Sequence, residues 1–448
     1  MHERCLATVV YFEIIANTAD PERADLQEDL PMRHRRLGIL AVTLLVLTAC
    51  QGGGSGASGA GASGAAGGEG TAIDEDTLEG EVRLSGGRSS DAEEALLQET
   101  LDAFAEKYPN ITVTYEPVPA DYATVMAAQF SAGDPPDLFY VGATGEAAPW
   151  IEQDLLQPLG PYITGNPEVG LDEFYPRLLA PFQRDGETYG LPKDASPLAL
   201  FYNPEMLDAA GVTPPTNWDE LQAAAETLTE GDVAGLCLGA EIQRWGAFIY
   251  QNGGALYNDD NTEMTLDSPE TVAAIDYLLG LHESGALQTP SEIGAGWCGE
   301  AYATGQAAMT MEGNWMVSYM ENDFPDMAYE MAELPQGTQQ GNLAFTVAYS
   351  MGVDSPNKDA AWVLLQYLSG QEGMAKWTSL GLALPARADV DPAEGRDALV
   401  AGLEYATAYG FPSDWIPVQD AFNNKLTEVL DSGGTGQEIL DAAVAAAR

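Results

Sequence analysis

The run Glu81-Val-Arg-Leu-Ser-Gly-Gly87, then Asp91 to Tyr108, then Ile111-Thr-Val-Thr-Tyr-Glu-Pro-Val118, Asp121 to Phe130 and Asp137-Leu-Phe-Tyr-Val-Gly142 decides the fold. Residues 81–87 and 111–118 alternate as strands do, and Leu97, Leu101, Phe104 and Tyr108 recur at helical spacing. The stretch 121–130 is helical and stops at Gly133, and the apolar run 137–142 reads as a buried strand. A β-α-β-α-β order predicts an α/β domain with an open, mainly parallel sheet and helices on both faces. Ligands of such sheets sit beyond the carboxyl ends of the strands. Two loops therefore become candidates, Ser85-Gly86-Gly87-Arg88-Ser89 and Gly142-Ala143-Thr144. Gly-Gly-Arg lacks the spacing and the Gly-Lys-Ser/Thr of a phosphate loop.

Further along, Tyr189-Gly-Leu-Pro-Lys-Asp194 precedes a strand-like Leu198 to Tyr202, and Asn203-Pro204 opens a helix. Thr216 or Asn217 is placed to cap a helix over Trp218 to Leu228. Helices are also expected over Ser268 to Glu283, Asp359 to Leu368 and Gln371 to Leu380. Asn258-Asp259-Asp260-Asn261 lacks the Gly and distal Glu of a calcium loop and reads as a hairpin turn.

The N-terminal segment is an address. A basic stretch, Arg33 to Arg36, is followed by apolar Leu37 to Leu47 and by Leu47-Thr48-Ala49-Cys50, the layout of a secretory signal. The apolar run is short of the ~20 residues that span a bilayer. Residues 1–31 carry acids that suit no signal, and Met32 is the expected true start, with a cytoplasmic tail as the alternative. Gly52 to Gly70 holds only Gly, Ala and Ser apart from Glu69, a flexible tether with a reach on the order of 25 Å. Residues 1–49 thus read as leader and signal, and 50–79 as anchor and tether.

About 370 residues remain, more than one core normally covers, so two lobes are expected. Against 69 acids stand 18 bases, for a formal net charge of −51. Such a surface repels phosphate backbones and disfavours anionic ligands, which excludes nucleic acid as a partner. It is also the surface that concentrated salt would tolerate by screening. Cys237 and Cys298 form an even pair in an exported domain, so a disulfide is the leading reading. With no Cys-x-x-Cys pair, and with His282 the one histidine of the mature chain, neither a metal site nor any other cofactor is expected.

Several pieces together resemble the extracellular solute-binding proteins of ABC sugar importers, the maltose-binding-like group. They are Phe104-Ala-Glu-Lys-Tyr-Pro-Asn-Ile-Thr-Val113, Gly133-Asp-Pro-Pro-Asp137, Tyr189-Gly-Leu-Pro192, Leu200-Phe-Tyr-Asn-Pro204 and Gln251-Asn-Gly-Gly254. Gly305-Gln-Ala-Ala-Met-Thr-Met-Glu-Gly-Asn-Trp315 and Ser355-Pro-Asn-Lys-Asp-Ala-Ala-Trp362 follow in order. Leu47 to Cys50 likewise resembles the lipobox of bacterial lipoproteins, in which Cys50 would be diacylated. The resemblance implies a two-lobed periplasmic-binding-protein type 2 fold with a hinged cleft. Chain crossings are expected near Lys193 to Leu200 and near Ala344 to Ser350. Lobe one would hold 80–195 and 346–395, and lobe two 196–345 and 396–448. It further implies a membrane-anchored monomer, outside the cytoplasm, that binds a sugar and passes it to permease subunits without catalysis.

A pyranose offers C–H faces to aromatic rings and hydroxyls to polar side chains. Trp315 matches the family's Gly-x-Trp position near the cleft, and Trp415, in Phe411-Pro-Ser-Asp-Trp-Ile-Pro417, matches a cleft loop. Trp245, after Gln243-Arg244, and Trp297, beside Cys298, are expected on display in loops, whereas Trp362 and Trp377 fit core positions in helices. Asp194 and Ser196 fall at a crossing, and Arg88, Thr144, Glu312 and Asn314 complete the polar candidates. Two other readings stay open, a secreted carbohydrate-active enzyme with paired carboxylates and the same fold with a non-sugar cargo.

Overall fold

The computed structural model describes residues 73–447 apart from 76, 89, 259 and 260. The signal, Met32, Cys50 and the tether to Gly70 lie outside the described residues, as do Ser89, Asp259 and Asp260.

The opening run folds as its pattern dictates. Strand Gly80–Gly87 pairs in parallel with Ile111–Val118 on one side and Leu138–Gly142 on the other. Helix Asp91–Lys107 joins the first two, started by the Ser90 side chain, which accepts from the Glu93 amide. Its Leu97, Leu101 and Phe104 are buried, each contributing about 1.5–3 kcal/mol of apolar burial. Helix Tyr122–Ala132 makes the second crossover and ends at Gly133, whose φ of 69° is the left-handed conformation that closes a helix.

The sheet is completed from far downstream. Strand Val347–Met351 lies antiparallel to Leu138–Gly142, and Leu191–Pro192 lies antiparallel to it in turn. One strand of the five, Val347–Met351, therefore runs against the other four, and the sheet is mainly parallel, as expected.

A second five-stranded sheet has the order Leu287–Gln288, Ala234–Cys237, Ala307–Glu312, Ala199–Tyr202 and Glu330–Ala332. Three of these strands, Ala199–Tyr202, Ala234–Cys237 and Ala307–Glu312, are buried at every residue, as strands covered on both faces must be. Helix Trp218–Leu228 packs on this sheet, with Asn217 as its N-cap accepting from the Glu220 amide. Helices Ile242–Gln251, Pro269–Glu283, Trp415–Ser432 and Gly436–Ala446 pack on one another beside it.

Between the sheets lies a small one, Ala406–Ala408 beside Asn342–Phe345 beside Ser196–Pro197. Leaving the first sheet after Pro192, the chain reaches the second at Ala199, and it comes back between Phe345 and Val347. The two passages are tied together. Buried Asn342 donates its Nδ2 to the Leu198 carbonyl at 2.8 Å, and Thr346 Oγ1 donates to the Asp194 carbonyl at 2.7 Å.

Residues 242–251 form a helix where a polar loop was expected. Ile242, Trp245, Phe248 and Ile249 recur at helical spacing and outweigh the polar Gln243-Arg244 pair. At the turn read as a hairpin, Tyr257 bridges Met264 in antiparallel fashion and the Asn258 amide donates to the Glu263 carbonyl. Among the described residues no helix is long and apolar enough to cross a membrane, and no cluster of His, Cys, Asp and Glu is arranged to hold a metal ion.

Cys237, at the end of its strand, and Cys298, at the start of helix Cys298–Ala303, form a disulfide with Cα atoms 5.4 Å apart across 61 positions. The sulfurs are buried with Ala301 and Ala307. Replacing both cysteines by Ala should cost about 4 kcal/mol by chain entropy. Urea denaturation of the double variant and of the oxidised wild type measures it, and the midpoint should fall clearly.

Candidate functional site

In both large sheets the carboxyl ends of the parallel strands carry the chemistry. On the first sheet, Gly80–Gly87 runs out into Arg88, whose guanidinium is exposed and paired with Asp91 and Glu94 of the next helix. Leu138–Gly142 runs out into Thr144, whose Oγ1 donates to the Tyr409 carbonyl at 2.8 Å. That bond joins the loop of the first sheet to the segment leading into helix Trp415–Ser432.

At the first crossing, Lys193 is buried, bonded to Asp194, with its ammonium 4.2 Å from the centroid of Trp377 and 5.1 Å from that of Tyr140. Asp194 also accepts from the Val347 amide through Oδ1. Burial raises the Glu93 pKa, against the pull of Lys193, and Asp194 pushes it the same way. At this end of the first sheet one buried cation is bonded to Asp194 and acts on Glu93 through its charge alone.

Ser196 and Asn314 meet across the gap between crossing and second sheet. Ser196 Oγ accepts from the Asn314 amide at 2.8 Å and donates to its Oδ1 at 3.3 Å. Gly313 permits the approach, because a Cβ there would stand 2.6 Å from Ser196 Oγ and 2.4 Å from the Trp315 ring.

On the second sheet, Ala234–Cys237 leads to Glu241 and Arg244, and Ala307–Glu312 leads to Trp315. Arg244 bonds Glu312 at 2.7 Å and approaches Glu241 at 3.4 Å. Burial works against the Arg244 charge, but the two carboxylates outweigh it and hold the pKa above its ordinary value. Burial pushes Glu312 upward, while Arg244 and the Trp315 indole draw it back. Trp315 donates its Nε1 to Glu312 at 2.9 Å, the Arg244 guanidinium stands 5.2 Å from its centroid, and Phe345 meets it edge-on at 5.6 Å. Arg244 Nε is buried with no hydrogen-bond partner among the described residues. The arrangement presents a braced, half-buried aromatic ring among fixed polar groups, which suits binding.

Residues 88–375 match the model of a family described as bacterial extracellular solute-binding protein. The chain belongs to this family. It is a binding protein that works outside the cytoplasm, and not an enzyme. A binding protein of Brucella abortus is 29% identical over 67% of this chain and 74% of its own length. The maltotriose-binding protein of Pyrococcus abyssi is 24% identical over 70% and 69%. Among solved structures, an ABC substrate-binding protein from Listeria monocytogenes in complex with cycloalternan superposes with a TM-score of 0.73 at 25% identity, covering 83% of this chain and 98% of that one. The GacH receptor of Streptomyces glaucescens, solved unliganded and with acarbose, gives 0.70 at 25% identity over 83% and 97%.

The candidate tryptophans of this solute-binding protein separate sharply. Trp245 is fully buried in helix Ile242–Gln251, its Nε1 donating to the Gly239 carbonyl at 3.0 Å, so it packs the second lobe's core instead of lining a loop. Trp415 opens helix Trp415–Ser432 and is only 3% exposed, bonded to the Tyr409 hydroxyl and packed by Tyr257 and Phe411. Its loop reaches the first lobe through Tyr409, while its ring faces inward. Trp297 precedes helix Cys298–Ala303 and Trp315 begins helix Asn314–Asp323, and both are half-buried. Trp362 is fully buried and Trp377 nearly so, as core positions require, although Trp377 also carries Lys193. Lys193, Glu241, Arg244 and Phe345 went unread in the sequence. Lys193 is one of five lysines and sits at a crossing, and Glu241 and Arg244 are an i, i+3 pair, which were the available signals.

Glu146, beneath the 142–144 loop, accepts from the Gly142 amide, and burial raises its pKa to about 7 from 4.5. A carboxyl so shifted favours folding when protonated, and that contribution is lost as pH rises from 4.5 through 7. Glu146→Gln should therefore match wild type in stability near pH 4.5 and exceed it by on the order of 3 kcal/mol at pH 8. Paired denaturation curves at the two pH values check the difference.

Proposed function

We propose that the chain captures a sugar in the crevice between its two lobes and delivers it to the permease of an ABC importer, held at the membrane by a diacyl group on Cys50. Trp315 carries the reading. Its ring is fixed by Glu312, Arg244 and Phe345, yet is half-exposed at the carboxyl end of a central strand, where ligands of open sheets sit. A pyranose C–H face fits such a ring. Around it Ser196, Asn314 and Glu312 supply acceptors, and Arg244 Nε supplies a buried donor with capacity to spare. Buried polar groups take partners, and a ligand hydroxyl is one. The sugars in the names of the relatives, maltotriose, cycloalternan and acarbose, agree with this chemistry.

On this reading Arg88, Thr144 and Asp194 supply the first lobe's edge of the crevice. Closure brings the lobes together about the Ser196–Pro197 and Asn342–Phe345 strands. The working unit is a monomer, with lobe one over 80–195 and 346–395 and lobe two over the rest of the body.

Trp315→Ala should lower affinity for the best-binding sugar by about 2 to 4 kcal/mol, roughly 30-fold to several hundred-fold. Stability without sugar should fall by less than the roughly 3–5 kcal/mol of a core tryptophan. A thermal-shift screen of sugars selects the ligand, and titration plus denaturation of both proteins tests the pair. Unchanged affinity with a large loss of stability would overturn the assignment.

Mass spectrometry of the membrane-extracted protein should find a diacylated cysteine at position 50 as the first residue. An unmodified Cys50 in a chain starting elsewhere would refute the anchor.

A further inference from the structure

The segment that follows strand Ala406–Ala408 lies along the first lobe. It runs as Tyr409-Gly-Phe-Pro-Ser413 before helix Trp415–Ser432 begins. Second-lobe groups hold this loop from behind: Phe411 stacks on Tyr257 with centroids 5.3 Å apart, and the Tyr257 hydroxyl donates to Asp414 at 2.9 Å. Gly410 brings it against the first lobe, since a Cβ there would stand 2.8 Å from Pro181 and 3.0 Å from Ala143.

Hydrogen bonds follow one another outward from the hinge strands along this edge. The Ala143 amide donates to the Thr346 carbonyl at 3.1 Å, next to strand Asn342–Phe345. Thr144 then donates to the Tyr409 carbonyl, just past strand Ala406–Ala408. Farthest along the loop, Ser413 Oγ donates to Glu152 Oε2 at 2.7 Å. Glu152 ends helix Ala147–Glu152, which Trp150 and Ile151 bury in the first lobe. Its other oxygen is fixed by Arg184, whose Nη1 donates to Oε1 at 2.9 Å. Arg184 stands in turn on a tight hairpin, pairing with Glu187, in which Asp185 and Gly186 take φ of 53° and 79° as a two-residue turn requires. The Ser413 hydroxyl first, and Arg184 with it, outweigh partial burial and hold the Glu152 carboxyl below its ordinary range.

We infer that Ser413, Glu152 and Arg184 form a clasp across the mouth of the crevice, made when the lobes close and broken when they part, which slows the release of a captured sugar. The inference rests on the reading of the crevice as a sugar site and adds to it a set of residues that touch no sugar. Exposed ion pairs and hydrogen bonds of this kind do little for a fold. Between bodies that move against each other the outcome differs, because the bond is gained in the closed state alone and its whole effect falls on the balance of open and closed forms. Glu152 is exposed and Ser413 half-exposed, so water can take over each partner when the lobes part and the clasp can be remade at every cycle.

The test is stopped-flow kinetics with maltotriose and with arabinotriose as probes. For whichever binds, Glu152→Ala and Ser413→Ala should each speed release roughly threefold to tenfold and leave the association rate within about twofold. The double variant should be little worse than either single one, because both remove the same bond. Ser413→Thr keeps the hydroxyl and should keep the slow release, which separates a lost clasp from a damaged fold. Unchanged release in the single variants, or effects that simply multiply in the double one, would overturn the clasp while leaving the sugar site in place. Binding of neither probe would overturn the sugar reading and the clasp's role with it.

Discussion

The whole molecule depends on one act of pairing, the docking of Val347–Met351 between Leu138–Gly142 and Leu191–Pro192. This strand comes some two hundred residues after its neighbour, and the first sheet is unfinished until it arrives. Because it must follow the second lobe in sequence, the chain crosses out and back, with these two passages side by side, and returns a third time through Ala406–Ala408 beside them. The hydrogen bonds of Asn342 and Thr346 to the carbonyls of Leu198 and Asp194 fasten them to one another. A pair of strands so joined can bend as a unit while each large sheet stays rigid, which is the mechanical requirement of a hinge.

Charge is used sparingly but pointedly in a chain with so many acids. Two of its few cations, Lys193 and Arg244, are spent near the crossings, each against carboxylates and aromatic rings. Buried pairs of this kind add little net stability, because desolvation offsets their attraction. Their value lies in geometry. Arg244 fixes Glu312 and stacks on Trp315, and Lys193 fixes Asp194 beside the Val347 amide, so under the proposed function these polar atoms are placed before a ligand arrives. Preorganised groups of this sort reduce the ordering cost of binding.

Much of the fold was legible because local pattern and tertiary structure agree. The alternation of 81–87 and 111–118, the helical spacing of Leu97, Leu101 and Phe104, and the Asn217 cap each appear where the residues place them. The direction of Val347–Met351 was not legible, since an apolar strand reads alike in parallel and antiparallel sheets. Site residues were harder. Trp315 sits half-exposed on a glycine, as Met309-Thr-Met-Glu-Gly-Asn-Trp315 implied. Trp245 and Trp415 did not follow their polar neighbours, because on a helix the residues beside a ring point elsewhere, and their own side chains turn inward. Arg244 and Lys193 each have a carboxylate close by in sequence, Glu241 and Asp194, but the groups that place them at the site, Glu312 and Trp315 for the one and Tyr140 and Trp377 for the other, lie far along the chain.

The disulfide has a bearing on how the molecule is made. Both cysteines lie between the two crossings, so the bond closes entirely within the second lobe. The loop it closes, residues 237 to 298, contains no part of the return strand Val347–Met351. As the polypeptide emerges on the oxidising side of the membrane, this part of the second lobe can be covalently closed before the return strand of the first has followed. The later stage of assembly, the return strand and the two C-terminal helices, can then add to a segment whose ends at Cys237 and Cys298 are already tied together.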